Sequence, residues 1–150
     1  MVFMGSKRRY CKYIVPIINN YIKENNVKTF LDIFCGGANL ADKIICENVI
    51  ANDLSPTLIA LHQKAQVNSK EIPSTGNREW WDEAYTEYKR LIKEVPKEKW
   101  SEESSLPLWK IGAIEWYSSF SNGGFPRGYA KPSYGRDYYN EAYRNHYKQA

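Results

Sequence analysis

Apolar residues at Tyr10, Tyr13, Ile14, Ile17, Ile18, Tyr21 and Ile22 recur at three- and four-residue intervals, so the first predicted element is an amphipathic helix. Pro16 lies inside that pattern and predicts a kink or a helix start within it. Glu24, Asn25 and Asn26 end the periodicity. The short apolar run from Val27 to Phe34 reads as a buried strand, and Cys35-Gly36-Gly37 as a tight turn. Ala38 to Glu47 reads as a helix and Asn48 to Asn52 as a second short strand. Ser55 is a good N-cap and Pro56 a good first helical residue, opening a helix to about Val67. Strand, glycine turn, helix, strand and helix in that order begin a parallel α/β sheet.

After Asn68 the character changes, and the chain divides into residues 1–68 and 69–150. Pro, Ser, Thr, Gly and Asn between Ile72 and Arg78 predict a loop. Trp81, Ala84, Tyr85, Tyr88, Leu91, Ile92 and Val95 fall at helical spacing, and Pro96 stops that helix. Lys97 to Ser105 is charged and reads as a loop, while Leu106 to Phe120 fits a helix or an extended segment. Gly123, Gly124, Pro126, Gly128 and Pro132 predict an irregular stretch. A terminal helix begins at Tyr138, with Tyr139, Tyr143 and Tyr147 on one side.

Composition refines this picture modestly. The 150 residues suffice for one core, with or without a small lobe. Net charge is +4, with Lys7, Arg8, Arg9 and Lys12 crowded into the first thirteen residues without an acid. Residues 68–105 carry seven basic and nine acidic side chains, and residues 110–150 carry six and three. Basic ends around an acidic middle are compatible with a polyanionic partner, as well as with an ordinary mixed-charge surface. Twelve Tyr and five Trp suit either stacking or core filling. Cys11, Cys35 and Cys46 form no C-x-x-C pair, which argues against zinc or a disulfide framework and fits a reduced cytoplasmic setting. His62 and His146 are far apart in sequence, and both are expected at the surface. No apolar run is long enough for a membrane helix.

The chemistry concentrates in two stretches, Phe30-Leu31-Asp32-Ile33-Phe34-Cys35-Gly36-Gly37-Ala38-Asn39-Leu40 and Ile50-Ala51-Asn52-Asp53-Leu54. A glycine turn after a first strand lets backbone approach a ligand closely, and an acid at the tip of the second strand can accept from two ribose hydroxyls. Nicotinamide enzymes want G-x-G-x-x-G for pyrophosphate, whereas here the third glycine is missing and Asp32 precedes the turn. A carboxylate there repels phosphate and welcomes an ammonium, which favours S-adenosylmethionine. The alternative is a purely structural glycine turn.

These blocks resemble the DNA adenine methylase (Dam-like) family of N6-adenine methyltransferases, particularly its phage-type members. Phe3-Met4-Gly5-Ser6-Lys7 is similar to that family's N-terminal aromatic-x-G-G/S-K block, Asp32 to Leu40 to its D-P-F-x-G-x-G block, and Asn52-Asp53-Leu54 to its N-D-hydrophobic block. Ser118 to Ala130 resembles an S-F-x-G-rich stretch of the target-recognition insert. Ile33 departs from the family's Pro and Ala38 from its last Gly. The D-P-P-Y motif is absent, for Lys131-Pro132-Ser133-Tyr134 lacks the acid or amide at its head.

The resemblance implies the N-terminal part of a Rossmann-like S-adenosylmethionine-dependent methyltransferase fold over 1–68, and a mainly helical and irregular target-recognition insert over 69–150. It implies that Phe3 lies against the cofactor, Lys7 near its carboxylate and Asp32 at its ammonium. Phe34, Cys35, Gly36 and Gly37 would form the turn over it, Asp53 would hold the ribose, and Leu54 would pack on the adenine. Double-stranded DNA is the implied partner, with Arg8, Arg9, Arg127, Lys131 and Arg136 at phosphates and Phe120, Phe125 and Tyr129 at bases, the aromatic three serving equally well as core. A cytosine-5 methyltransferase would need a Pro-Cys pair, which the sequence lacks. Without D-P-P-Y the chain is expected to be inactive alone, as a non-catalytic DNA-binding remnant or one half of a split enzyme whose second chain supplies the motif.

Overall fold

The computed structural model describes residues 6–119, 123–131 and 137–147, and the chain forms two compact units that divide between Leu54 and Ser55. The first unit holds helix α1 (Cys11–Glu24), strand β1 (Thr29–Asp32) and strand β2 (Asn48–Ala51). The strands pair in parallel, Thr29 with Asn48 through Asp32 with Ala51. Cys11, Ile22, Leu40 and Ile44 form the core, with Ile14, Val15, Ile18, Val27, Phe30 and Cys46 packed around them. The predicted apolar stripe of α1 therefore divides. Ile14, Ile18 and Ile22 turn inward, whereas Tyr10, Tyr13, Ile17 and Tyr21 are open to solvent. Pro16 sits within a continuous helix. It removes one helical hydrogen bond at a typical cost of about 3 kcal/mol, so the packed residues on either side must hold α1 together.

The predicted helix from Ala38 to Glu47 does not form. The crossover from β1 to β2 is an irregular succession of turns whose one helical element is a short 3-10 helix at Ala41–Lys43. Two causes act, one local and one from another element. Ala38 has φ +55°, which a right-handed helix cannot include. Asn19 of α1 takes the backbone groups a helix would need, its Oδ1 accepting from Ile45 N–H (2.9 Å) and its Nδ2 donating to the Lys43 carbonyl (3.3 Å). Leu40 and Ile44 still reach the core, which is why the apolar spacing looked helical. Nor are the strands buried. In β1 only Asp32 is fully buried and Phe30 half-buried, and β2 is exposed along its length. A parallel sheet normally buries both faces, and among the described residues no third strand joins this one.

The second unit is helical. Its elements are α2 (Pro56–Asn68), α3 (Arg78–Glu94), α4 (Trp100–Glu103), α5 (Leu108–Tyr117) and α6 (Tyr138–Tyr147). Ser55 caps α2 as expected, its Oγ accepting from Leu58 N–H, and Asn77 caps α3 at Trp80 N–H. Trp81, Ala84, Leu91 and Val95 of the predicted α3 stripe are buried, while Ile92 is exposed. The expected loop at 97–105 contains the short α4, anchored by the buried Trp100, whose indole N–H donates to the Val95 carbonyl (3.0 Å). The segment left open between helix and extended chain is α5, the central helix, which packs against α2, α3 and α6. Gly112 permits the α2 contact, because a Cβ there would lie 2.2 Å from the Thr57 carbonyl oxygen.

Two buried polar groups link these helices. Glu115 accepts from Thr57 Oγ1 (2.6 Å), and burial raises its carboxyl to about 7. His146 is buried rather than at the surface. One ring nitrogen meets the Tyr117 hydroxyl and the other meets His62 Nδ1 (3.0 Å). A neutral imidazole, one nitrogen donating and one accepting, satisfies both contacts. Burial, aided by His62, lowers its basicity to about 3. The sequence offered no sign of this pair, because its members stand 84 positions apart.

The two shifts limit stability from opposite sides. Glu115 holds its proton more tightly when folded, so its contribution is complete below about pH 4.5 and is lost as pH rises through about 7. His146 holds its proton less tightly when folded, so its contribution is complete above about pH 6.5 and is lost as pH falls towards about 3. Between about pH 4.5 and 6.5 the two slopes oppose each other and nearly cancel, so thermal melts should show a broad plateau there. Glu115→Gln removes the falling slope, so the stability of the variant should rise across that window, by up to about 3 kcal/mol; a variant whose melting temperature stays as flat there as the wild type's would contradict this. Gly112→Ala should destabilise the fold by roughly 2–3 kcal/mol in a urea titration, through overpacking against backbone.

Candidate functional site

Parallel pairing sends the chain out of β1 and β2 at the same end of the sheet. The Asn52 N–H donates to the Asp32 carbonyl and the Cys35 N–H to the Asn52 carbonyl, both at 2.8 Å, so the turn after β1 lies on the tip of β2. There the Gly36 N–H donates to Asp53 Oδ2 (2.9 Å) across 17 positions of sequence. Gly36 adopts φ +50°, a conformation open to glycine without steric cost. The carboxylate at the second strand's tip and the glycine bend after the first strand are thus in direct hydrogen-bonded contact.

Asp32 at the end of β1 is only 6% exposed, and both its oxygens lie within hydrogen-bond distance of Lys7 Nζ, at 3.0 and 3.2 Å. The same ammonium donates to the Phe34 carbonyl. Lys7 begins a short turn capped by Ser6, whose Oγ accepts from Arg8 N–H and from Asn39 Nδ2 (2.9 Å). Asn39 is buried, and its carbonyl accepts from the Cys11 thiol and from Lys43 Nζ. This network places Lys7 over the end of β1, and Ser6, Asn39 and Cys11 were absent from the sequence-based site.

Cys35 is buried between the two acids. Burial first, then Asp53 and Asp32, push its thiol up to about 11 against the opposing pull of Lys7. It is therefore neutral at physiological pH and no nucleophile. Phe34 and Leu54, by contrast, are 74% and 76% exposed. Two large apolar side chains thus stand open beside the paired carboxylates. An open cavity of about 560 Å³, lined by Asn19, Ile22, Lys23, Val27, Ile45 and Cys46, lies elsewhere in this unit and shares none of the predicted residues.

Lys7, Asp32, Phe34, Cys35, Gly36, Gly37, Asp53 and Leu54 thus all belong to the strand-tip region of the first unit, whereas Phe3 lies outside the described residues. Of the predicted DNA contacts, Arg8 and Arg9 are exposed on the first unit, and Arg127 and Lys131 on the second. Phe120 and Arg136 lie outside the described residues. Phe125 is buried, its ring centroid 4.8–5.3 Å from those of Trp81, Tyr85 and Tyr88, so it is core. Tyr129 is half-buried against Trp81, with the Arg78 guanidinium over its ring. No group of side chains able to hold a metal ion occurs among the described residues, and no described helix is long and apolar enough to cross a membrane.

Ala38 occupies a position whose left-handed backbone costs an L-residue about 1–2 kcal/mol. Ala38→Gly should relieve that strain, offset by about 0.4–1 kcal/mol of unfolded-chain entropy. Urea titration should show it neutral to slightly stabilising, whereas Ala38→Val, with a branched Cβ, should lose at least about 1 kcal/mol. A clear loss with glycine would show that the alanine methyl matters more than its backbone angle.

Neither the curated proteins nor the solved structures gave a match. The family model for D12 class N6 adenine-specific DNA methyltransferase matches residues 3–108, well over half of the chain, and stops short of the 118–130 stretch. The matched range contains Lys7, both acidic strand tips and the glycine turn between them, and the chain belongs to the D12 class of N6 adenine-specific DNA methyltransferases.

Proposed function

We propose that this chain carries the donor-binding and DNA-recognition parts of a site-specific DNA adenine N6-methyltransferase that uses S-adenosylmethionine. The observation that carries the reading is the Asp53 carboxylate held against the Gly36 amide at the strand tips. The donor set fits the cofactor. Asp32 and the Phe34 carbonyl already cradle an ammonium group, that of Lys7, as a methionine moiety requires. In this reading residues 1–68 are the start of a Rossmann-like donor-binding domain and residues 69–150 the target-recognition region.

Asp32 binds the donor's ammonium, with Lys7 at its carboxylate and Phe3 alongside. Phe34, Cys35, Gly36 and Gly37 form the turn against it. Asp53 accepts from the ribose hydroxyls, and the exposed Leu54 covers the adenine. When bound, the donor supplies a methyl group activated by a sulfonium. Arg8, Arg9, Arg127, Lys131 and Arg136 contact DNA phosphates, which gives affinity and salt dependence without sequence choice. Tyr129 is the remaining candidate for base contact; Phe120 shares that assignment on sequence grounds.

Methyl transfer needs more than a bound donor. The exocyclic amine of adenine is a poor nucleophile, because its lone pair is delocalised into the ring. The D-P-P-Y motif would supply acceptors for the amine's hydrogens and a ring to stack on a flipped base. The 150 residues contain no such motif. Holding two reactants in line can contribute several kcal/mol to a rate, and here the acceptor is not held. The chain alone therefore binds donor and DNA without turning over. Two alternatives fit a chain without D-P-P-Y: a DNA-binding remnant, and one half of a split enzyme whose second chain supplies the motif.

Calorimetric titration with S-adenosylmethionine should show binding to the wild type and a loss of at least about tenfold for Asp53→Ala, the scale of one charged hydrogen-bonding group. Equal affinity in both would remove Asp53 from the site. Incubation of the chain alone with labelled donor and adenine-containing duplex should leave the DNA unlabelled. Co-expression with the product of the downstream reading frame should restore labelling if that product contains D-P-P-Y.

A further inference from the structure

The cradle at the end of β1 is full. Lys7 Nζ carries three N–H donors, and three acceptors surround it: the two oxygens of Asp32 and the carbonyl of Phe34. The Asp32 carboxylate is shielded, and both of its oxygens are engaged by Lys7. Asp53 stands at the tip of the second strand, where it accepts from Gly36 and is the group assigned to the ribose. Cys35, a neutral thiol, offers no charge. The donor-binding reading assigns the same carboxylate to the amino group of the donor. Two ammonium groups cannot share it at hydrogen-bond distance without strong mutual repulsion.

We propose that the Lys7 ammonium is a built-in occupant of the donor's amino-group subsite, and that donor binding exchanges one ammonium for another. The inference rests on the donor-binding reading above. The two partners differ in freedom. Asp32 ends a paired strand and is fixed, whereas the Lys7 side chain is 34% exposed, on a flexible four-carbon stem at a short turn. Lys7 can therefore swing to solvent without unfolding the unit. Exchange also gives the subsite a selectivity. A ligand with an amino group but no carboxylate must break the Lys7–Asp32 pair and leaves Lys7 unpartnered. An α-amino acid brings a carboxylate that the displaced Lys7 can engage. A nucleoside with neither group leaves the pair intact. The subsite thus discriminates for the whole amino-acid moiety and against simple amines.

Two thioether nucleosides separate these cases, 5′-methylthioadenosine and 5′-(3-aminopropylthio)-5′-deoxyadenosine, which differ by an aminoethyl extension and both lack a carboxylate. Their affinities are measured by calorimetry on wild type and Lys7→Met, each first checked for a cooperative thermal melt. Removing the resident ammonium should tighten the aminopropyl nucleoside about tenfold, as expected when a competing closed state is abolished. The methylthio nucleoside should change by less than about twofold. Unchanged or weaker binding of the aminopropyl nucleoside to Lys7→Met overturns the proposal. A second measurement uses only the wild type. The chemical shift of the Lys7 side-chain ammonium, read by NMR, should move to that of a solvated lysine when the aminopropyl nucleoside is bound and stay unchanged with the methylthio one. No movement with the aminopropyl nucleoside overturns the proposal. If neither nucleoside nor S-adenosylmethionine binds the wild type, the donor-binding reading itself has failed. If all bind and Asp53→Ala weakens them while Lys7→Met does not favour the amine, the exchange alone is refuted.

Discussion

The candidate site depends on the in-register parallel pairing of β1 with β2. Because Asp32 lies opposite Ala51, both strands end at the same level, and the chain leaves each of them on the same side. Backbone hydrogen bonds continue past the strands through Asn52 and Cys35, which carries the glycine turn onto the second tip. Only then can the Gly36 amide reach the Asp53 side chain. A slip of one residue would turn every side chain of β2 to the opposite face and separate these groups. The irregular crossover serves the same end. By burying Leu40 and Ile44 without forming a helix, it returns the chain to β2 within 15 residues, from Ile33 to Glu47.

Charge is arranged around those tips with little redundancy. Asp32 is shielded and matched by an ammonium, Asp53 is matched by a backbone amide, and Cys35 between them stays neutral. A buried carboxylate without a partner would be costly, so the Lys7–Asp32 pair lets this unit form with no ligand bound. The helical unit uses two solutions for its buried polar groups. Glu87 is ion-paired with Arg90, whereas Glu115 and His146 have neutral hydrogen-bond partners and shifted proton affinities. Its aromatic residues mostly serve packing, with Phe125 wedged among Trp81, Tyr85 and Tyr88.

Much of this was legible locally. The Ser55-Pro56 cap, the stripe from Trp81 to Val95, the stop at Pro96 and the spacing of Asp32, the glycines and Asp53 each depend on residues near one another in sequence. The structure formed the corresponding elements close to their expected bounds. The clearest failures came where a distant partner decided the outcome. Ala38 to Glu47 has helical spacing, but Asn19, on another element, captured its backbone groups. His62 and His146 looked like surface residues until α6 met α2 and α5.

The sequence by itself determined the parallel α/β start, the helical remainder and the family, because periodicity, capping residues and motif spacing are short-range properties. Tertiary structure alone decided which half of the α1 stripe is buried, that β2 is exposed along its length, and that Lys7 closes on Asp32. Each of those is settled by which surfaces meet after the chain folds back on itself. A hydrophobic pattern says that a face wants cover, and a charge says that it wants a partner; neither says which one it will find.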